Sequence, residues 1–164
     1  MTLTFNQIKY KILEALPLIL LFIISLNGSS VISTKFFTVN IHYILVYFWV
    51  LRQPGSLGYG FIFLSGIISD VVLGLPMGVN SLSLLVVAGV AAYVRVVTVR
   101  ITLLNDWISF VAALLFANFA YFVSLYFSNF TIDYFYLLKN SIFTLIFYPV
   151  LWGLFSLLLN LTKN

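Results

Sequence analysis

The sequence predicts an all-α integral membrane protein with six transmembrane helices. Of its 164 residues, 63% are hydrophobic and only 7% are charged, whereas roughly a quarter of an average soluble domain is charged. A membrane-spanning helix needs about 20 consecutive apolar residues, so six of them use most of the chain and leave only short connections. We therefore expect residues 1–164 to form a single polytopic membrane domain.

Six apolar blocks give the approximate positions of these helices. The first is entered through Lys9 and Lys11, as in a signal peptide, but its apolar stretch is long enough for a full span and further apolar blocks follow. The second is short for a crossing and contains Asn40 and His42. The third ends at Gly74, a typical helix stop. The predicted helices are 12–31, 36–51, 57–73, 80–97, 107–127 and 137–161.

The distribution of basic residues predicts the topology. If all six blocks cross, six of the eight basic residues fall on one side of the membrane: Lys9, Lys11, Arg52, Arg95, Arg100 and Lys163. Lys35 and Lys139 fall on the other side. If the short second block does not cross, the division is a much weaker five to three. Because cytoplasmic loops carry an excess of Lys and Arg, the sequence favours six crossings with both termini in the cytoplasm.

The composition argues against most enzyme chemistry. The chain has no cysteine and one histidine, which excludes disulfides, thiolate metal sites and sites with several histidine ligands. Phosphate-binding glycine loops, zinc-protease motifs and nucleophile elbows do not occur. The net charge of +4 is spread over loop edges, so we expect no nucleic-acid-binding face, no cofactor and no metal.

Asp70 is the one carboxylate deep in an apolar block. It lies about 20 Å along the third helix at roughly 1.5 Å per residue, in the last turn, where the helix dipole disfavours a negative charge. We expect it to bind backbone N–H groups of the turn 74–79, the Asn80 side chain and the N-terminus of the fourth helix. Three roles remain open: a structural pin for this turn, a contact with a partner protein, or an ion or proton relay.

Small residues form a stripe on the third helix. Ser65, Gly66, Ser69 and Asp70 are related by spacings of three and four residues, and Gly58 lies seven residues before Ser65, which places all five on one face. Small residues let helices approach closely in a bilayer. The stripe therefore predicts either packing inside this protein or a docking groove for a transmembrane helix of another protein.

A second set of residues marks the cytoplasmic edge. Pro54 and Gly55 set a short turn after Trp49 and Arg52, and Arg95 and Arg100 flank the end of the fourth helix. Such residues are either membrane-edge anchors or a basic docking surface for a cytoplasmic partner or anionic membrane lipids.

Two consecutive segments carry a family resemblance. Residues 49–55 read W-x-L-R-x-P-G, and residues 66–80 contain G-x-x-x-D-x-x-x-G-x-x-x-G, formed by Gly66, Asp70, Gly74 and Gly78 and followed by Asn80. In these motifs and in its length the chain resembles the rod shape-determining MreD family. The recognisable part runs from about residue 49 to residue 100, and Gln53 stands where many relatives carry a second basic residue.

The resemblance implies a non-catalytic role in the bacterial inner membrane. It implies a scaffold or regulator of the cell-elongation machinery that binds the bitopic protein MreC. Through MreC the chain would be linked to MreB filaments, the glycosyltransferase RodA and its class B penicillin-binding transpeptidase. The motif residues Gly66, Asp70, Gly74, Gly78 and Asn80, together with Gly58 of the small-residue stripe, would then bind partners or build the turn.

The resemblance also supplies an alternative function. The MreD family is similar in fold to the six-helix substrate-binding components of energy-coupling factor vitamin transporters. Under that alternative, the outer loops and helix ends enclose a small-molecule pocket with several convergent polar groups. The candidate polar residues in the outer half are few: Asn27, Ser29, Ser30, Asn40, His42, Asp70 and Asn80.

Overall fold

The described residues form six helices and one minimal β-hairpin. The computed structural model describes residues 5–28, 32–33, 38–98, 102–130 and 133–163. The elements are α1 (Phe5–Leu26), β1 (Ile32–Ser33), β2 (Thr38–Val39), α2 (Ile41–Arg52), α3 (Tyr59–Leu73), α4 (Val79–Val97), α5 (Leu103–Phe127) and α6 (Tyr134–Lys163). The strands pair antiparallel, with Ile32 opposite Val39. The prediction of an all-helical fold is confirmed.

Three of the described helices have the length and composition of membrane-spanning helices. Within the described part of the chain, three segments are long and apolar enough to cross a bilayer: Val79–Val97, Leu103–Phe127 and Tyr134–Asn160. Three further apolar helical segments are shorter: Ala15–Leu26, Ile41–Arg52 and Tyr59–Leu73. Many large apolar side chains also remain exposed on the outside of the bundle, as expected for a protein surrounded by lipid.

Helix α2 lies in the centre of the bundle. Every residue from His42 to Leu51 is buried, and the helix contacts α1, α4, α5 and α6. A helix that is apolar on all sides is typical of a protein core or of a membrane span. At 12 residues and about 1.5 Å per residue, α2 is shorter than the bilayer core of about 30 Å, but its neighbours separate it from lipid along most of its length.

Helix α2 also begins later than the sequence suggests, at Ile41 and not at residue 36. The Asn40 side chain explains this start, because its Oδ1 accepts a hydrogen bond from the Tyr43 backbone N–H at 3.1 Å. Asparagine is a favoured helix N-cap for this reason. Helix α1 ends earlier than predicted, at Leu26 and not at residue 31.

Consecutive helices run in opposite directions, which gives the bundle two ends. At one end, Arg52 at the end of α2 bonds Asp106 at the start of α5, and Arg95 near the end of α4 bonds the Val50 carbonyl. At the other end, the Asn40 backbone N–H before α2 donates to Thr144 of α6 at 2.9 Å. We call these the Arg52 end and the Asp70 end.

Candidate functional site

Asp70 joins the end of α3 to the start of α4. The side chain is 0% exposed. Its Oδ2 accepts the Gly78 backbone N–H at 2.7 Å, and its Oδ1 accepts the backbone N–H and the side-chain amide of Asn80, each at 2.9 Å. These are the partners that the sequence predicts for Asp70.

In this arrangement, a side chain of α3 caps the N-terminus of α4. The first N–H groups of a helix have no partner within it, and the N-terminal end carries a partial positive charge. The α4 N-cap is Gly78, which offers no capping side chain. The Asp70 carboxylate therefore supplies both the missing acceptor and the complementary negative charge.

Two glycines shape the turn between these helices. Gly74 ends α3 with φ +64° and ψ +28°, and Gly78 precedes α4 with φ +101° and ψ −12°. Residues with a side chain rarely adopt positive φ, so glycine is favoured at both positions, and most strongly at Gly78, whose φ lies outside the left-handed region that asparagine tolerates. The G-x-x-x-D-x-x-x-G-x-x-x-G pattern thus places the capping carboxylate and the two turn glycines at the spacings that the turn needs.

Gly66 is the point of closest approach between α3 and α4. A Cβ atom added at Gly66 would overlap the Ser81 Cα and lie 2.6 Å from the Ser81 backbone N. The Ser81 hydroxyl crosses the same interface and donates to the Phe63 carbonyl at 3.0 Å. Only a glycine leaves room for this contact between backbones.

The small-residue stripe of α3 packs inside the protein. Ser65, Gly66, Ser69 and Asp70 are all buried, so this face is not open to a second protein and the docking-groove interpretation does not describe it. Gly58 differs, since it is exposed at the α3 N-cap, where only the nearby Phe61 ring approaches it.

The His42 side chain lies next to a hydroxyl group, a contact that the sequence alone does not predict. The His42 Nε2 lies 3.2 Å from the Ser65 hydroxyl, which itself donates to the Ile62 carbonyl at 2.7 Å. Both residues are 0% exposed. This contact joins α2 to α3 across 23 residues of sequence, a distance at which periodicity carries no information.

A second polar cluster holds the Arg52 end together. Arg52 Nη2 lies 3.0 Å from Asp106 Oδ2, and the Trp152 indole N–H donates to the same oxygen at 3.0 Å. The guanidinium also lies over the Trp152 ring, 5.3 Å from its centroid. Asp106 is 1% exposed, so the cluster ties α2, α5 and α6 through one buried carboxylate.

The other predicted edge residues have different surroundings. Trp49 is 2% exposed and packs on Phe155 with ring centroids 4.9 Å apart, so it belongs to the aromatic core and is not an anchor on the membrane edge. Pro54 is exposed in the turn. Arg95 donates to the Val50 carbonyl at 3.2 Å. Arg100 lies outside the described residues.

A polar cavity of about 200 Å³ opens at the Asp70 end. It is bounded by the start of α2, the α3–α4 turn, and the halves of α5 and α6 that meet there. Most of its lining is amide or phenol: Asn40, Tyr43, Asn80, Asn118, Tyr121, Tyr136 and Asn140, together with Leu73, Leu75 and Leu137. We call it the Asn–Tyr cavity.

The sequence alone does not predict the wall of the Asn–Tyr cavity that α5 and α6 form. This wall is lined by Asn118 and Tyr121 of α5 and by Tyr136 and Asn140 of α6, and the sequence does not predict these four residues as site residues. The available signal is an amide and a phenol at a spacing of three or four residues within an apolar helix, which places both on one face. That these two helix faces meet Asn40 and Asn80 depends on the tertiary structure, which the spacing does not reveal.

In comparisons with known proteins, no family model matches the chain, and no curated protein or solved structure matches it. The family resemblance rests on the sequence motifs.

Proposed function

We propose that this protein is a non-catalytic scaffold of the bacterial cell-elongation machinery. In this role its six helices cross the inner membrane, both termini lie in the cytoplasm, and the protein binds MreC. Through MreC it helps to couple MreB filaments to RodA and its class B penicillin-binding transpeptidase.

The observation that carries the proposal is the locked α3–α4 hairpin. The residues of the MreD-like segment meet there, with Gly66 against Ser81 and Asp70 on Gly78 and Asn80. A motif whose members fix backbone geometry suits a protein that holds others in place. It gives no support to a catalytic role.

The positions of the charged residues support the proposed orientation. Arg52 and Arg95 lie at the same end of the bundle, and Lys139 follows the start of α6 at the opposite end. With the Arg52 end in the cytoplasm, the chain obeys the positive-inside rule. The Asp70 end then faces the periplasm.

The α5–α6 connection is the surface that we assign to MreC. Exposed aromatic side chains cluster in sequence around it: Phe127, Phe130, Tyr134 and Phe135. Such residues are favoured at the membrane interface and are enriched in protein interfaces. They would receive the segment of MreC that leaves the bilayer on the periplasmic side.

Affinity purification of the tagged protein from its native membrane, in gentle detergent and with mass spectrometry, tests the proposal. We expect an MreC-like bitopic protein together with cell-wall synthases. Phe135→Ala should reduce this recovery, whereas Leu157→Ala, an exposed apolar residue near the other end of α6, should not. Full recovery of the protein without any such partner would exclude the scaffold.

The Asn–Tyr cavity supports a second candidate function, the small-molecule-binding component of a transporter. A binding component needs a concave site with several convergent polar groups, and the cavity provides one at the end proposed to face the periplasm. The same purification separates the candidates, because the transporter component should recover an ATP-driven coupling module and no cell-wall synthase.

A further inference from the structure

The Asn–Tyr cavity has the size of a single small ring. Its volume is about 200 Å³, and a cavity of roughly 150 Å³ is sufficient to hold benzene. A smaller cavity of about 140 Å³ adjoins it and shares Leu75, Tyr121, Tyr136 and Leu137 as walls. A group larger than one ring could therefore extend towards the α5–α6 connection.

The lining of the Asn–Tyr cavity selects against charge. All ten lining side chains are amides, phenols or leucines. The nearby Asp70 carboxylate is buried and already accepts three hydrogen bonds, so it offers little to a cation. A charged ligand would lose its hydration here without gaining a counter-charge, which is costly.

The polar groups of the cavity match hydroxyls and amides. Amide and phenol groups can both donate and accept hydrogen bonds. Three of the four asparagines already use part of this capacity: Asn40 Oδ1 accepts the Tyr43 backbone N–H, and the side-chain amides of Asn80 and Asn118 donate to Asp70 and Ser141. Asn140 Oδ1 is buried and has no hydrogen-bond partner in the described part of the chain. Buried polar atoms are nearly always paired in folded proteins, so this oxygen calls for a donor.

The apolar part of the lining matches the carbon face of a ring. Tyrosine has a large apolar surface with a polar tip, and the three leucines complete the apolar wall. The combination of flat apolar surfaces with bifunctional polar groups fits a ring that carries hydroxyl or acetamido substituents.

We propose that the Asn–Tyr cavity binds a neutral sugar ring, with Asn140 and Asn118 as hydrogen-bonding residues. The ring is either a free sugar or the headgroup of a glycolipid, since both present the same chemistry. The site depends on neither candidate function, because a scaffold could use it to sense a glycan and a transporter component could use it to capture a substrate.

Binding to the purified full-length protein in nanodiscs tests the site in the absence of any partner. The probes are N-acetylglucosamine added to the buffer, and a monoglucosyl diacylglycerol included in the nanodisc with diacylglycerol as its reference lipid. Saturation-transfer NMR and the thermal unfolding midpoint report binding. A response to either probe is expected, and the responding probe identifies the source of the ring.

Three variants tie the response to the cavity. Asn140→Leu should weaken binding at least tenfold, because leucine has the same branched shape but cannot form hydrogen bonds, and Leu137→Trp should abolish binding by filling the space. Asn160→Leu is the matched control, because Asn160 is an exposed residue of the same helix near the Arg52 end. Circular dichroism verifies that each variant is folded.

The proposal is overturned if neither probe gives a response, or if folded Asn140→Leu and Leu137→Trp bind as tightly as Asn160→Leu. Since the assay contains no partner protein, these outcomes leave both candidate functions untouched. Conversely, a purification without cell-wall synthases does not affect the binding result.

Discussion

One carboxylate oxygen of Asp70 accepts two hydrogen bonds from Asn80. The Asp70 Oδ1 accepts the Asn80 backbone N–H and the Asn80 side-chain amide, each at 2.9 Å, while the second carboxylate oxygen holds Gly78. The amide of Asn80 therefore faces Asp70 with its donor group. Since Asn80 also lines the Asn–Tyr cavity, the same contact that closes the α3–α4 turn orients part of the cavity wall.

Asp70→Asn should destabilise the protein by about 2 kcal/mol. An asparagine has one acceptor oxygen where the carboxylate has two, so at least one buried N–H donor loses its partner, at a cost of roughly 1 to 3 kcal/mol. The loss of negative charge at the α4 N-terminus adds about 0.3 to 1 kcal/mol. Unfolding by sodium dodecyl sulfate in mixed micelles, followed by circular dichroism, measures the difference.

Asp133→Asn is the matched control for this substitution. Asp133 also accepts a hydrogen bond at a helix N-terminus, from the Tyr136 backbone N–H at 3.0 Å, but it is exposed. Asparagine and aspartate cap helices about equally well, so we expect little change. Equal stability of the two variants would contradict the structural role of Asp70. If Asp70→Asn is as stable as the parent but loses a protein that co-purifies with the parent, the carboxylate serves a partner contact.

Gly66→Ala should destabilise the protein by about 3 kcal/mol or more. Overpacking usually costs roughly 1 to 3 kcal/mol, and here the new methyl group meets the backbone of Ser81, which cannot rotate away as a side chain can. Helices α3 and α4 would have to separate. The same unfolding assay, combined with the amount of protein recovered from the membrane, measures the effect.

Gly89→Ala provides the contrast within the same pair of helices. Gly89 lies inside α4, and a Cβ atom there would meet nothing within 4 Å. Alanine is favoured over glycine inside a helix by about 0.5 to 1 kcal/mol, so this variant should equal or exceed the parent in stability. A Gly66→Ala protein that is as stable as Gly89→Ala would show that α3 and α4 are not in contact at Gly66.

Arg52→Leu should destabilise the protein by about 3 kcal/mol, because breaking a buried ion pair leaves an uncompensated charge. Among the described residues, the Asp106 carboxylate would keep only the Trp152 indole as a hydrogen-bond partner. Asp106→Asn should cost less, since the Arg52 side chain is 25% exposed and can regain hydration. A double-mutant cycle compares the single variants Arg52→Leu and Asp106→Leu with the variant that carries both substitutions. The double variant should be more stable than the sum of the two single effects predicts, by at least about 1 kcal/mol.

Arg95→Leu controls for the loss of a positive charge at the Arg52 end. Arg95 donates to a backbone carbonyl and has no ion pair among the described residues, so its loss should cost about 1 kcal/mol. A cycle that shows no coupling between Arg52 and Asp106 would mean that the two side chains are independent in the membrane.

The sequence predicts features whose cause is local. The number of helices follows from apolar blocks, and the partners of Asp70 follow because Gly78 and Asn80 lie in the next turn of chain. What it does not predict depends on helices that are distant in sequence. The burial of Trp49 against Phe155 is one case, since a tryptophan near a helix end is equally suited to a membrane edge.

The sequence does not predict the Asn–Tyr cavity or the polar cluster around Arg52, and the reason is the same for both. Asp106 lies 54 residues from Arg52, and Asn118 contacts Ser141 of another helix at 2.8 Å. Hydropathy places each residue at a depth in the membrane but not at an angle around the bundle. Two residues at equal depth are therefore predicted to be near each other only when the order of the helices around α2 is known.

The two turn glycines should differ in their tolerance of a side chain. Gly74 has φ +64° and ψ +28°, within the left-handed region that asparagine tolerates, so Gly74→Asn should cost less than about 1 kcal/mol. Gly78 has φ +101°, outside that region, and its N–H must reach Asp70. Gly78→Ala should cost at least the roughly 1 to 2 kcal/mol of a left-handed residue. It should also speed the hydrogen exchange of the Asn80 amide, because the turn that positions Asn80 against Asp70 is distorted. A Gly74→Asn protein that is less stable than Gly78→Ala would contradict the geometry of this turn.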